Sequence, residues 1–387
     1  MRTNLSIRSV RSFLALAGAS LLLAHSYVHG HELAGMAGVP GGLVVHLGVD
    51  GAFGVGWGPN DRYVVHGLDV SPETVAAVRA RIHARGGYGP VSAATFDGKR
   101  LPYANGLVNL IVADDLGDVR VSEVLRVLCP RGVLLTKRSQ PDTGGLVPLT
   151  PIPTGLEGWH VYRKPPDSKL DEWTHYLYGP DNNAVCQDEV VGIPRSIQWV
   201  AAPRWGRSHE ELASMSATVT ANGRIYYIVD DAPLASIRFA GQWKLVARDA
   251  FNGVQLWERP IARWNDHLRH FRSGPVHLPR RLTVSGDTVF ATDGFGGPVL
   301  AIAGATGATI REFAGTESTE EILVTADALY LAVGTSEVNR RGGGLHLRGE
   351  PEPTPFRRIM VFSRASGSLL WQRDCSATQV LPLSMAV

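Results

Sequence analysis

Three stretches in the second half of the chain, "LVARDAFNGVQLWERPI", "LAIAGATGATIREF" and "MVFSRASGSLLWQRD", align on a turn glycine. The glycines are Gly253, Gly307 and Gly367, 54 and 60 residues apart. Each stretch reads as strand, tight turn, strand. Each follows another such pair: "ATVTANGRIYYIVDD", "RLTVSGDTVFATDG" or "EILVTADALYLAVG". A repeating unit of four short antiparallel strands cannot bury its apolar face alone and has to stack on its neighbours, as the blades of a β-propeller do. Four positions after each glycine stand Trp257, Arg311 and Trp371, and the two tryptophans read as packing between blades. About three blades are expected. The final "ATQVLPLSMAV" reads as the start of a further strand, so the expectation is an incomplete propeller whose other blades lie outside this sequence.

The first half has a different period. "LVVHL" (43–47), "YVVHGLD" (63–69), "VSAATFD", "LVNLIVADD" and "VLLTK" are short apolar strand candidates. Between the second and third, "SPETVAAVRARIHARGG" carries the marks of a helix: Ser71 as cap, Pro72 in the first turn, Glu73 toward the dipole and Gly86 as the stop. Val75, Val78 and Ile82 form its apolar face. A second helical stripe, Val121, Val124, Leu125 and Leu128, is ended by Pro130. Strands alternating with amphipathic helices predict a doubly wound, Rossmann-like α/β domain over residues 38–140. A Pro/Gly-rich linker is expected over 141–169 and the blades over 170–387.

The N-terminal residues 1–30 read as a secretory signal peptide. Arg2, Arg8 and Arg11 precede a 12-residue apolar run, Phe13 to Ala24, with a small-x-small site at Ala24–Ser26. That run is too short to span a bilayer by itself. The expected location is therefore the periplasm or cell envelope, with no membrane span after cleavage; an uncleaved anchor is the alternative. A net charge of +2 gives no electrostatic case for nucleic acid. The three cysteines, Cys129, Cys186 and Cys375, form no CxxC or haem-attachment motif and read as buried or free thiols, with one disulfide as the alternative.

The order "VVHLGVDG", "HGLDVSPETVAAVRARI", "FDGKRLPYANGLVNLIVADD" and "EVLRVLCPRGVLLTK" resembles class I S-adenosylmethionine (SAM)-dependent methyltransferases. The resemblance implies a SAM pocket in which Gly48 and Gly51 lie in the cofactor loop, Asp69 holds the ribose hydroxyls and Asp97 lies near the adenine. Asp114 then ends the fourth strand. The 21-residue spacing from Gly48 to Asp69 fits a carboxylate at the tip of the second strand, placed to accept two hydrogen bonds from vicinal hydroxyls. The pattern also departs from the family. His46 stands where the family carries an acidic residue, Val49-Asp50 replaces the middle glycine, and Asp50 would repel the cofactor's carboxylate. Gly54, Gly56 and Gly58 ahead of Pro59 predict a following helix that is short or absent. SAM is also a cytoplasmic cofactor, whereas the leader exports this chain.

"RDAFNGVQLWE", "SRASGSLLWQ" and "EWTHYLYGPDNNAV" (172–185) resemble the quinoprotein-like repeat of PQQ-dependent alcohol dehydrogenases and of similarly shaped assembly scaffolds. That resemblance implies a propeller. The adjacent cysteine pair over the quinone and a haem site are both missing. His267, His270 and His277 read as exposed residues rather than metal ligands, and Glu320 and Glu321 as blade-edge residues rather than an acid/base pair, so no metal site is expected.

The expectation is an exported PQQ-like repeat protein whose propeller binds a protein or small-molecule partner, with an inactive methyltransferase-like domain and no catalytic residue identified. SAM-dependent methyl transfer is the first alternative. A PQQ-dependent oxidoreductase completed by further blades is the second.

Overall fold

Leu43, Val44, Val45 and Leu47 give the first strand its β-branched and aliphatic character, and the strand lies inside a seven-stranded sheet, third from one edge. The computed structural model describes residues 30–50, 53, 57, 62–140, 142–202, 215–235, 239–262, 264, 278–334, 357–375 and 385–387. The segment expected to be a signal peptide, apart from its last residue Gly30, and Gly51, Gly54, Gly56, Gly58, Pro59, His267, His270 and His277 lie outside the described residues.

The α/β unit comprises α1 (Gly30–Met36), β1 (Gly42–Leu47), β2 (Tyr63–Asp69), α2 (Pro72–Ala84), β3 (Val91–Thr95), β4 (Val108–Ala113), α3 (Val121–Val127), β5 (Leu128–Thr136), β6 (Val147–Pro148) and β7 (His160–Arg163). The strand order is β3-β2-β1-β4-β5-β7-β6. β1 to β5 run parallel, and β7 is antiparallel to both β5 and β6. β1 pairs with β2 on one side and β4 on the other, which is the switch point of a doubly wound sheet. All six residues of β4 are buried, as a central strand covered on both faces requires.

Helix α2 starts as the sequence predicts: the Ser71 hydroxyl accepts from Thr74 N at 3.1 Å, and Val75, Val78 and Ile82 are the buried face. Helix α3 ends earlier than its stripe suggests. Leu128 already belongs to β5, and Val127 takes the buried place. The segment read as a linker over 141–169 contributes β6 and β7 to the sheet, so the α/β unit runs on to Arg163.

Three four-stranded antiparallel meanders follow. They are β8 (Met215–Ala221), β9 (Arg224–Asp230), β10 (Trp243–Asp249) and β11 (Gln255–Pro260); β12 (Leu282–Ser285), β13 (Thr288–Thr292), β14 (Val299–Ala303) and β15 (Thr309–Phe313); and β16 (Thr319–Val324), β17 (Ala328–Val333), β18 (Arg358–Ser363) and β19 (Leu369–Asp374). Their first strands β8, β12 and β16 are neighbours. One core joins the first two sheets, Val219 and Tyr226 packing with Leu282 and Val289, and another joins the next two, Phe290 and Phe313 with Ile322 and Phe362. Among the described residues the three sheets do not close a ring.

Two devices set their register. The first is the tripeptide Trp173-Thr174-His175, which crosses all three inner strands. Trp173 O accepts from Thr220 N at 2.7 Å, Thr174 O from Val284 N at 3.0 Å, and His175 Nε2 from Val324 N at 3.0 Å. One edge N–H of each sheet is thereby satisfied by consecutive residues of one segment. The second is a flat side chain laid over each turn glycine. Trp257 reaches into the next sheet, its Nε1 donating to Gly304 O at 2.8 Å, and a Cβ on Gly307 would lie 2.7 Å from its ring. Gly307 also has φ +75°, so the position needs glycine for both conformation and space. Arg311 covers Gly367 in the same way, and Trp199 covers Gly253 while donating to Ala250 O at 3.0 Å. Trp371, expected to pack between blades, is 48% exposed, because no described sheet follows β19.

Glu320 and Glu321 do sit on the edge strand β16, but they are buried. Glu321 pairs with Arg280 at 3.0 Å and Glu320 with Arg281 at 2.7 Å, on the inner side where β16 meets the turn before β12. All three cysteines are free thiols, Cys129 and Cys375 buried and Cys186 exposed.

Candidate functional site

The carboxyl ends of β1 to β4 form the rim where a doubly wound sheet takes a ligand. β1 ends at Leu47, and Gly48 turns the chain with φ +74°. Its N–H donates to Leu68 O at 2.8 Å, which ties the turn to β2. Asp69, the last residue of β2, faces this turn: its Oδ2 accepts from Val49 N at 3.0 Å and its Oδ1 from Ser71 N at 2.9 Å. Asp69 O accepts from Phe96 N at 3.1 Å, which brings the end of β3 and Asp97 onto the same rim.

The structure therefore brings Gly48, Asp69 and Asp97 together and leaves Gly51 outside the described residues. Asp69 spends one lone pair of each oxygen on these two N–H groups, and a carboxylate offers about four acceptor sites. Asp97 Oδ1 accepts from Lys99 N at 2.8 Å and Arg100 N at 2.7 Å. Those two N–H groups hold its carboxyl below the ordinary range, so it is ionised at neutral pH.

The other side of the rim is different. His46 lies beneath the Gly48 turn, with Nδ1 3.0 Å from Gly48 O. Burial pushes its pKa down, so this position carries a neutral ring at pH 7 where the resembled family carries a negative charge. Asp50 Oδ1 is engaged by Phe53 N at 3.0 Å, and its carbonyl accepts from Arg81 Nη2 at 2.9 Å. Phe53 and Val49 are buried and cover Gly67 on β2, where any side chain would overlap them. Asp114 is paired with Lys137 at 2.8 Å and Asp115 with Arg138 at 2.8 Å. Tyr103 Oη meets His66 Nδ1 at 2.8 Å below the rim; sequence reasoning missed this pair, which links β2 to the stretch before β4. Burial lowers the His66 pKa and raises that of Tyr103, so both are neutral at pH 7. Among the described residues no group of three or more His, Cys, Asp or Glu is placed to hold a metal ion.

No family model matches the chain. No curated protein matches it either. Solved structures similar to the α/β unit include a (4+2)-cyclase, SpnF, at 16% identity and TM-score 0.28, over 33% of this chain and 76% of that one. A second is an S-adenosyl-L-methionine-dependent methyltransferase from Methanococcus maripaludis, at 15% identity and TM-score 0.24, over 27% of this chain and 52% of that one. A third is a SAM-dependent methyltransferase from Aquifex aeolicus, at 16% identity and TM-score 0.25, over 29% and 66%. The chain thus spans about half the length of the M. maripaludis protein. The assignment of a Rossmann-like fold rests on the strand order and switch point described above, and a fold of this kind does not fix a chemistry.

Proposed function

We propose that the chain is a binding scaffold whose α/β unit keeps the adenosine side of a SAM-type site and has lost the methionine side. The observation that carries this reading is Asp69, held at the tip of β2 against the Gly48 turn with an acceptor site left on each oxygen. Gly48, Asp69 and Asp97 are the residues that would hold a ribose and base. Neutral His46 and the engaged Asp50 leave the methionine end without its acidic anchor. In the same reading the three meanders are blades of an open propeller that offers a protein or small-molecule partner a surface, and the leader places the protein in the periplasm or cell envelope. PQQ has no part in this reading, since Cys129, Cys186 and Cys375 are scattered and Glu320 and Glu321 are locked in ion pairs.

Calorimetry of the full chain with adenosine, S-adenosylhomocysteine and SAM tests the proposal. Comparable affinities for all three support it. Much tighter SAM binding accompanied by methyl turnover would favour an active methyltransferase. No heat with any of them at millimolar concentration would leave the α/β unit as scaffold alone.

A further inference from the structure

The opposite end of the α/β sheet holds a second candidate site. At the amino ends of β1, β4 and β5, the turns β8–β9, β10–β11 and β12–β13 of the antiparallel sheets close over a polar cavity of about 180 Å³. That is roughly six water molecules' worth of space at about 30 Å³ each. The cavity adjoins a cleft of about 910 Å³, and Arg131 and Arg224 line both. Junctions between structural units are common places for small-molecule sites.

Three arginines and two aspartates line the small cavity, and their partners differ. Arg224 is paired with Asp287 at 2.7 Å. Asp249 is buried and accepts from Asn109 Nδ2 at 2.6 Å, Phe251 N at 2.9 Å and Asn252 N at 3.0 Å. Arg131 and Arg163 form no salt bridge among the described residues, although the charge of Arg131 also acts on the Asp287 carboxylate that Arg224 pairs. Arg131 donates to the Asn222 side chain, and Arg163 donates to Ala37 O at 3.1 Å. A guanidinium carries five N–H donors, so each of the two has donors to spare. Burial first, and then the charge of Arg131, disfavour the charged form of Arg163. Arg131 also has φ +66°, an uncommon conformation for a residue with a side chain, at the point where β5 bulges before Gly132. Two like charges aimed at one polar cavity, one of them from a strained backbone position, form an arrangement that an anion relieves.

We propose that Arg131 and Arg163 hold a small oxyanion, a phosphate or a carboxylate group, in the cavity between the α/β sheet and the first antiparallel sheet. Arg163 supplies the inner contact and Arg131 closes the mouth toward the larger cleft. The fork geometry of two guanidiniums suits an oxyanion and gives little to a spherical halide.

The test is calorimetric titration of the full chain with inorganic phosphate and, separately, with succinate, against sodium chloride at matched ionic strength. Saturable binding of either oxyanion, with none for chloride, is the expected result; which of the two binds tells a phosphate from a carboxylate ligand. Arg131→Asn, whose side chain tolerates the left-handed conformation, and Arg163→Gln should each raise the Kd at least tenfold with an unchanged circular dichroism spectrum. Arg163→Lys keeps the charge and loses the fork, and should also weaken binding, so the proposal stays testable if Arg131→Asn does not fold. Equal heats for chloride, no saturable heat at tens of millimolar oxyanion, or wild-type affinity in the Arg163 variants would overturn it.

Discussion

Asn109 Nδ2 donates to Asp249 Oδ2 at 2.6 Å across 140 positions of sequence, and this bond fastens the amino end of β4 to the turn after β10. The same amide oxygen accepts from Leu43 N at 2.8 Å and from Asn252 Nδ2 at 2.6 Å. One side chain thus serves two strands of the α/β sheet and the first antiparallel sheet. Gly42, with φ +109°, leaves the space it occupies, since any Cβ there would overlap the Asn109 amide.

Replacing Asn109 by alanine leaves Leu43 N without its acceptor and Asp249 Oδ2 without its donor, while Asp249 Oδ1 keeps Phe251 N and Asn252 N. At about 1–3 kcal/mol for each of the two stranded groups, the loss should be about 2–6 kcal/mol. Denaturant unfolding of Asn109→Ala measures it. A midpoint equal to wild type would mean that the junction does not depend on this network.

His175 gives the fold a pH dependence of known sign. It is 2% exposed, and burial pushes its pKa down to about 4. The folded state therefore prefers the neutral ring, whose Nε2 accepts from Val324 N. Its contribution is fully present above the unfolded value of about 6.5 and is lost as pH falls toward 4. Between pH 6.5 and 5 the loss is on the order of 2 kcal/mol at about 1.4 kcal/mol per pH unit. His175→Gln keeps an acceptor and does not titrate. Its stability relative to wild type should rise as pH falls over this range. Parallel pH profiles for the two proteins would contradict the assignment.

The repeat makes a paired prediction about two tryptophans. Trp257 is 7% exposed and seated over Gly307, so Trp257→Ala should cost about 3–5 kcal/mol. Trp371 holds the equivalent place in its own unit but is 48% exposed, with no described sheet beyond it, and Trp371→Ala should change stability by less than about 1 kcal/mol. Thermal unfolding of both variants decides the matter: similar losses would mean that Trp371 has a partner in solution.

The contrast between these two residues shows what can be read from the chain. The turn glycines, the strand pairs and the Ser71 cap are local signals, and local signals survive in one sequence. Trp199 does the work of Trp257 for the first sheet but was hidden, because Arg195 stands where a turn glycine would have aligned it. β6 and β7 were hidden because two and four residues in a Pro/Gly-rich stretch give too few positions for a period to show. Asn109 lies inside an apolar run, and its partner is set only by how the two sheet systems meet. At the rim, the spacing of Gly48 and Asp69 was legible. That Asp69 shares its oxygens with Val49 and Ser71, and that Phe53 packs over β2, depends on how the loop folds back.

That sharing separates two roles for Asp69. As a strap for the loop it stabilises by accepting from Val49 N and Ser71 N, bonds worth about 1–3 kcal/mol together. As a ribose acceptor it needs the remaining lone pairs. Asp69→Asn keeps one oxygen acceptor and loses the second, so the loop should survive with a loss near 1 kcal/mol while bidentate recognition of vicinal hydroxyls is broken. Adenosine affinity should then fall at least tenfold, whereas 2′,3′-dideoxyadenosine, with no hydroxyl pair to lose, should bind wild type and variant alike. Calorimetry with both nucleosides reads the difference directly. An adenosine affinity unchanged by Asp69→Asn would assign Asp69 to the strap alone and remove the ribose from this end of the sheet.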